Sequence, residues 1–181
     1  LAKPAPETID YNQTLFIQPK LDGVRAYINK DGIFSRNNNE FLNAIHITTE
    51  LQSFFRANPT VTLDGELYSH RYRNSFDKII SLVKKKSPTQ ADIDRTLNIT
   101  LWKAIYGWRS IQEVDTNVVF SDTEVQKFHL INKNNGYEGS ILRTNKEYQQ
   151  KRSHNLYKVK DWSDTEITIT EVIEGKGRFQ N

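Results

Sequence analysis

Cysteine is absent from the 181 residues, which excludes disulfides, thiolate metal sites and a cysteine nucleophile. Methionine is absent as well and the sequence opens at Leu1. Together these predict a piece of a longer chain, or one that has lost residues, for instance modified methionines. No apolar run approaches the roughly 18 residues of a membrane span and no secretory leader is visible, so a soluble intracellular protein with no membrane partner is expected. There are no repeats and no low-complexity tract. The net charge is only +3, with a pI of about 9.0, which suits a surface touching phosphate but is shared by many soluble proteins. The 36% of hydrophobic residues is enough for one domain, with room for part of a second.

Leu1–Thr8, with Pro4 and Pro6, reads as an extended arm. Strands are expected at Leu15–Ile17, Val24–Ile28 and Ile33–Ser35, the last two joined by a hairpin at Lys30-Asp31-Gly32. Asn43–Arg56 places Ile47, Leu51, Phe54 and Phe55 at helical spacing, and Val61–Tyr68 returns to strand. Ser75 is expected to cap a helix with a buried stripe of Phe76, Ile79, Ile80 and Val83, ended by Lys84-Lys85-Lys86. Ile99–Trp102 and Val118–Phe120 look like strands. Ser121-Asp122-Thr123-Glu124 reads as a capping box for a helix through Lys133, burying Val125, Phe128 and Ile131. Strands at Ser140–Leu142, Asn155–Val159 and Glu166–Ile173 complete an α+β class, mostly antiparallel, with outer helices. Trp102–Ser110 passes from a buried strand into Lys103–Trp108 with no turn chemistry, which predicts lost residues there.

Four segments carry chemistry. Lys20-Leu21-Asp22-Gly23 puts a lysine at a strand end. An amine is a nucleophile only when neutral, and with a reference pKa of about 10.4 it needs desolvation or neighbouring cations. Taken alone, a plain surface turn is the better reading, since K-x-D-G arises by chance in roughly 5% of chains this long. Asp64-Gly65-Glu66 lies in an apolar strand and sets two carboxylates on one face, which points to a bound polyol or cation. In Gly136-Tyr137-Glu138-Gly139, glycines flank a lone acid, so backbone can approach a ligand. Glu138 is a candidate hard-cation ligand, and a simple turn is the alternative. Lys158 and Lys160 share one strand side, where like charges repel unless an anion such as phosphate lies between them. A solvated edge strand guarded by lysines is the alternative.

In this order, the segments resemble the covalent nucleotidyltransferase superfamily of ATP-dependent DNA ligases, RNA ligases and mRNA capping enzymes. Lys20–Gly23 resembles motif I, Ser35-Arg36-Asn37 motif Ia, Asp64–Glu66 motif III, Glu138-Gly139 motif IV and Lys158–Lys160 motif V. Lys20–Arg25 and Glu138–Arg143 are most similar to the small viral and bacterial DNA ligases. The resemblance implies an ATP-grasp-like nucleotidyltransferase (adenylation) domain over residues 1–165. Residues 166–181 would be its last strand and the linker into an OB-fold domain, with Val172–Arg178 as the entry. It also implies ATP and Mg²⁺ (or Mn²⁺) as cofactors, nicked duplex DNA as partner, and a monomer in the cytoplasm, nucleoid or a virus-infected cell.

Residue by residue, the resemblance makes Lys20 the group that carries AMP. Gln18 would offer backbone groups to adenine, and Arg25 and Arg36 would hold ribose and the phosphates of the nick. Glu66 would bind a ribose hydroxyl and Glu138 the metal, while Lys158 and Lys160 would contact the α-phosphate and favour neutral Lys20. Trp102 is the candidate adenine-stacking aromatic, ahead of Tyr106 and Trp108. An RNA ligase, a capping guanylyltransferase and a non-catalytic nucleic-acid-binding module remain alternatives. Without its OB-fold domain, the chain is expected to charge itself slowly and to seal nicks poorly.

Overall fold

A computed structural model describes residues 2–97, 99–102, 111–146 and 153–161. The expected strand Glu166–Ile173, the linker that follows it, Tyr106 and Trp108 lie outside the described residues. The described strands form two sheets of five strands each. The first runs in the order β1 (Lys3–Pro4), β10 (Leu156–Val159), β9 (Gly139–Thr144), β2 (Leu15–Lys20), β8 (Asn117–Val119). The second runs β4 (Gly32–Ser35), β3 (Val24–Asn29), β5 (Leu63–Tyr68), β6 (Thr100–Trp102), β7 (Ile111–Gln112). Only β1–β10 and β6–β7 pair in parallel. The class is α+β and mostly antiparallel, as expected.

Each sheet has its own core. In the first, β2 alternates with period two, so that Leu15 and Ile17 are buried beneath α5 (Asp122–Asn134) together with Val119, Val125, Leu142 and Val159. In the second, Ala26, Ile28, Leu63 and Leu67 pack against α1 (Ile45–Glu50), α2 (Gln52–Ala57), α3 (Phe76–Lys84) and the neighbouring turns. The short link Leu21–Gly23 carries the chain from β2 of one sheet into β3 of the other. Tyr137 comes from the loop before β9 and packs against the core of the second sheet.

The helices depart from expectation in four ways. The single helix Asn43–Arg56 is instead a 3-10 turn, Leu42–Ala44, followed by α1 and α2, which break at fully buried Leu51. The β-branched run Ile47-Thr48-Thr49 precedes that break and weakens the helix there. In α3 the buried stripe is Ile79, Leu82 and Val83, while Phe76 is exposed, and Ser75 caps through its backbone carbonyl rather than its hydroxyl. The helix α4 (Gln90–Thr96) was not anticipated, although Thr89 and Asp92 form a complete capping box. In α5 the Ser121 hydroxyl accepts from the Glu124 N–H, but the Glu124 carboxylate takes the Phe120 N–H, and Ile131 is exposed while His129 is buried.

Gly23 is required by close approach. A Cβ there would overlap the Leu67 carbonyl oxygen and stand 2.9 Å from Glu66 Cγ, so only glycine lets the inter-sheet link lie on β5. Gly23→Ala should therefore destabilise the fold by about 1–3 kcal/mol, which for this chain length lowers Tm by about 2–4 °C per kcal/mol. A calorimetric melt superimposable on the parent would show that the backbone yields without cost.

Candidate active site

Lys20 is the last residue of β2 and pairs in register with Gly139 on β9. β10 runs beside β9 in the same sheet and its end comes close to Gly139, where a Cβ would lie 2.7 Å from the Val159 carbonyl oxygen. Lys160, immediately after β10, is thereby brought to the same end of the sheet. Glu138 sits between these strands, anchored by its N–H, which donates to the Lys20 carbonyl at 3.2 Å. Its two carboxylate oxygens are divided between two cations, Oε2 accepting from Lys20 Nζ and Oε1 from Lys160 Nζ. Burial pushes the Glu138 carboxyl up, but the hydrogen bonds from Lys160 and Lys20 outweigh it and leave it below the usual value. The resting arrangement is one carboxylate between two ammonium groups.

The link from β2 to β3 brings a second set of charges to this junction. Asp22 is raised by burial and by the nearby charge of Glu138. On the second sheet, Arg25 and Glu66 are direct cross-strand partners, yet the Arg25 guanidinium reaches diagonally to Asp64, with bonds of 3.1 and 2.6 Å. Glu66 is left in a largely desolvated position. Burial raises its pKa to about 7, against the pull of Lys20 and Arg25 and with a push from Asp64 and Asp22.

The anion beside Lys160 is the Glu138 carboxylate, and Lys158 is exposed. Glu138 engages lysines with both oxygens, and among the described residues no group of three His, Cys, Asp or Glu is placed to hold a metal. A Mg²⁺ site does not need such a group, because one carboxylate plus substrate phosphates suffices, and Glu138 fits that part. Gln18 donates from its side chain to Thr116 Oγ1 at 2.7 Å. Its backbone lies one residue beyond Ile17, where pairing with β8 ends. Arg36 is exposed in the turn after β4. The backbone register sets Trp102 opposite Glu66, but its side chain lies outside the described residues.

Sequence reading missed the support beneath the site. His129 of α5 is buried, with Nδ1 3.2 Å from Ser140 Oγ and Nε2 3.0 Å from Asp161 Oδ1. Asn132 donates to the same Ser140 hydroxyl at 2.8 Å, and Lys133 pairs with Asp161 at 3.3 Å. Bonds from His129 and Lys133 hold the Asp161 carboxyl low. The network ties α5 to the residue after Gly139 and to the residue after Lys160. A signal was present: His129 falls four residues after Val125, on the buried face of the helix.

This two-sheet architecture is that of solved DNA ligases. A Lig E DNA ligase matches with a TM-score of 0.71 and 24% identity, over 99% of this chain and 75% of that one. The structure named Pmar-Lig_Pre matches with a TM-score of 0.73 and 22% identity, over 99% of this chain and 50% of that one. A Chlorella virus DNA ligase-adenylate matches with a TM-score of 0.59 and 16% identity, over 88% and 67%. At these identities the likeness is one of fold. A curated DNA ligase of Haemophilus influenzae is 26% identical over 90% of this chain, and the chain spans 63% of that protein's length. The family model for the ATP dependent DNA ligase domain matches residues 1–107, and the chain belongs to that family.

The raised pKa of Glu66 has a consequence for stability. A carboxyl that titrates near 7 when folded and near 4.5 when unfolded binds more protons in the folded state between those values. Its stabilising contribution is complete below about pH 4.5 and is lost as pH rises through about 7. Glu66→Gln should flatten the stability profile across that window and melt a few degrees higher than the parent at pH 8. Parallel Tm-versus-pH curves for the two proteins would contradict the assignment.

Proposed function

We propose that the chain is the adenylation domain of an ATP-dependent DNA ligase that seals 5′-phosphate/3′-hydroxyl nicks through a lysyl-AMP intermediate on Lys20. The observation that carries this reading is the placement of Lys20 at a strand end, hydrogen-bonded to Glu138 beside a second lysine, Lys160, in a chain of the ligase family. In the first step, neutral Lys20 Nζ attacks the α-phosphorus of ATP. A P–N bond forms, the bond to the β-phosphate oxygen breaks, and pyrophosphate leaves. AMP then passes to the 5′-phosphate at a nick, and the adjacent 3′-hydroxyl displaces it as the strand closes.

Phosphoryl transfer asks mainly for positioning and charge stabilisation. The resting pair with Glu138 occupies the Lys20 amine, so Glu138 must leave Lys20 before the amine can react. Lys160 stands beside the nucleophile on the same carboxylate and is positioned to contact the α-phosphate. Lys158, exposed on the same side of the strand as Lys160, is positioned for phosphate. When bound, Mg²⁺ or Mn²⁺ supplies charge stabilisation on the phosphates, and Glu138 is the residue that would hold it. Gln18 backbone groups beyond the end of β8 are available to the adenine edge, and Glu66, opposite Trp102, to a ribose hydroxyl. The partner is nicked duplex DNA, and the protein works inside a cell. It acts as a monomer, with an OB-fold domain following the adenylation domain.

Lys20→Ala should abolish acid-labile labelling by α-³²P-ATP while leaving the melting temperature near that of the parent. Labelling at the parent's level would remove Lys20 as the nucleophile, and labelling by GTP instead of ATP would favour a capping enzyme. Glu138→Ala should retain ATP binding but slow single-turnover self-adenylation by about a hundredfold or more. An unchanged rate at limiting Mg²⁺ would exclude it as the metal-holding carboxylate.

A further inference from the structure

The positive charge of this chain is concentrated in one segment. Residues 70–95 carry a net +4, against +3 for the whole sequence, so the remainder is slightly acidic. The segment comprises the 3-10 turn His70–Tyr72, α3 and α4. Part of its charge is structural: Lys85 and Arg95 both pair with Asp92, at 2.6 and 3.7 Å. The rest faces outward, and Arg95 remains exposed despite its pairing. Arg71, Lys78 and Arg95 come from three different elements and converge on a shallow depression of about 400 Å³ that holds one acid, Asp94. Lys78 Nζ lies 4.7 Å from the centre of the Tyr72 ring, which steadies its stem while leaving the ammonium exposed.

This basic surface is continuous with the active site. The exposed Arg73 packs against Gly136, whose Cβ position lies 2.7 Å from Arg73 Nε, two residues before Glu138. The His70 ring stands 5.2 Å from Tyr137, edge to face, and Tyr68 O–H and His70 Nδ1 are 3.0 Å apart. The turn bearing Arg71 and Arg73 is therefore fixed to the loop that carries Glu138. A line of cations leading away from a nucleotidyl-transfer centre on rigid elements fits a polyanion that passes through that centre and extends beyond it.

We propose that Arg71, Arg73 and Lys78, with Arg95 beside them, form a phosphate-binding track for the duplex flanking the nick. The identification of the polyanion rests on the ligase reading above; the charge distribution and the continuity with Glu138 do not. Arg25 is held by Asp64, and the track provides backbone contacts at a distance from the reacting atoms. Its contribution is independent of base sequence, because it addresses phosphates only.

The test compares the parent with the triple variant Arg71→Ala/Arg73→Ala/Lys78→Ala, using a nicked DNA duplex as probe over a range of salt concentrations. Each lost phosphate contact lowers the slope of log K against log salt by about 0.9, so the variant should lose between about 2 and 3 in slope. It should bind at least about tenfold more weakly near 0.1 M salt, with self-adenylation by ATP unchanged. The single variants Arg71→Gln and Lys78→Gln, which conserve bulk, should each lower the slope by about 1 if the triple variant fails to fold. An unchanged slope and affinity would overturn the track, as would a larger loss for RNA of equal length than for the DNA duplex. A parent chain that binds the duplex through these residues but takes no label from ATP would sink the ligase reading and leave the track standing.

Discussion

Glu138 lies between Lys20 and Lys160, and both sheets and α5 are arranged so that it can. Its carboxylate joins the end of β2 to the residue after β10 through one short loop, and its own N–H is bonded to the Lys20 carbonyl. With either lysine removed, the other still pairs with the carboxylate, so the charge of Glu138 is not left alone. In the proposed reaction Glu138 has to leave Lys20 before the amine can attack.

Two close approaches make this geometry possible. At Gly23 the inter-sheet link lies on β5, and at Gly139 the end of the neighbouring strand β10 closes in on β9; a side chain at either position would collide with backbone. Both glycines could be taken for turn residues from their sequence context. In the fold they are points of close backbone approach, where the absence of Cβ matters more than freedom of φ. Gly23 brings Lys20 and Asp22 near Glu66, and Gly139 brings Lys160 near Lys20, so each glycine joins two motifs.

Beneath the charges lies a polar layer that reaches them through the backbone. His129 and Asn132 share the Ser140 hydroxyl, while His129 and Lys133 share Asp161. The two anchored residues directly follow Gly139 and Lys160, so one helix fixes the spacing of two strands at the site. Tyr137 performs the matching task on the other side, seating the Glu138 loop against the core of the second sheet.

The strands, their alternation and the order of the charged motifs could be read from the sequence because they depend on neighbours one to four residues apart. Leu15 and Ile17 face inward in β2, Asp64 and Glu66 share a face of β5, and Lys20 closes a strand, all as period two requires. Helix details were less legible. Leu51 interrupts one expected helix and His129 takes the place expected for Ile131, since burial depends on what packs against the helix as well as on its own pattern. The pairing of charges was decided by tertiary structure alone. Lys20 and Glu138 are 118 residues apart, Arg25 and Asp64 39, and only cross-strand register and the meeting of two sheets determine that Arg25 takes Asp64 while Glu66 stays half-buried beside them. An electrostatic contact of a few ångströms follows positions in space, and a sequence fixes these only through the fold.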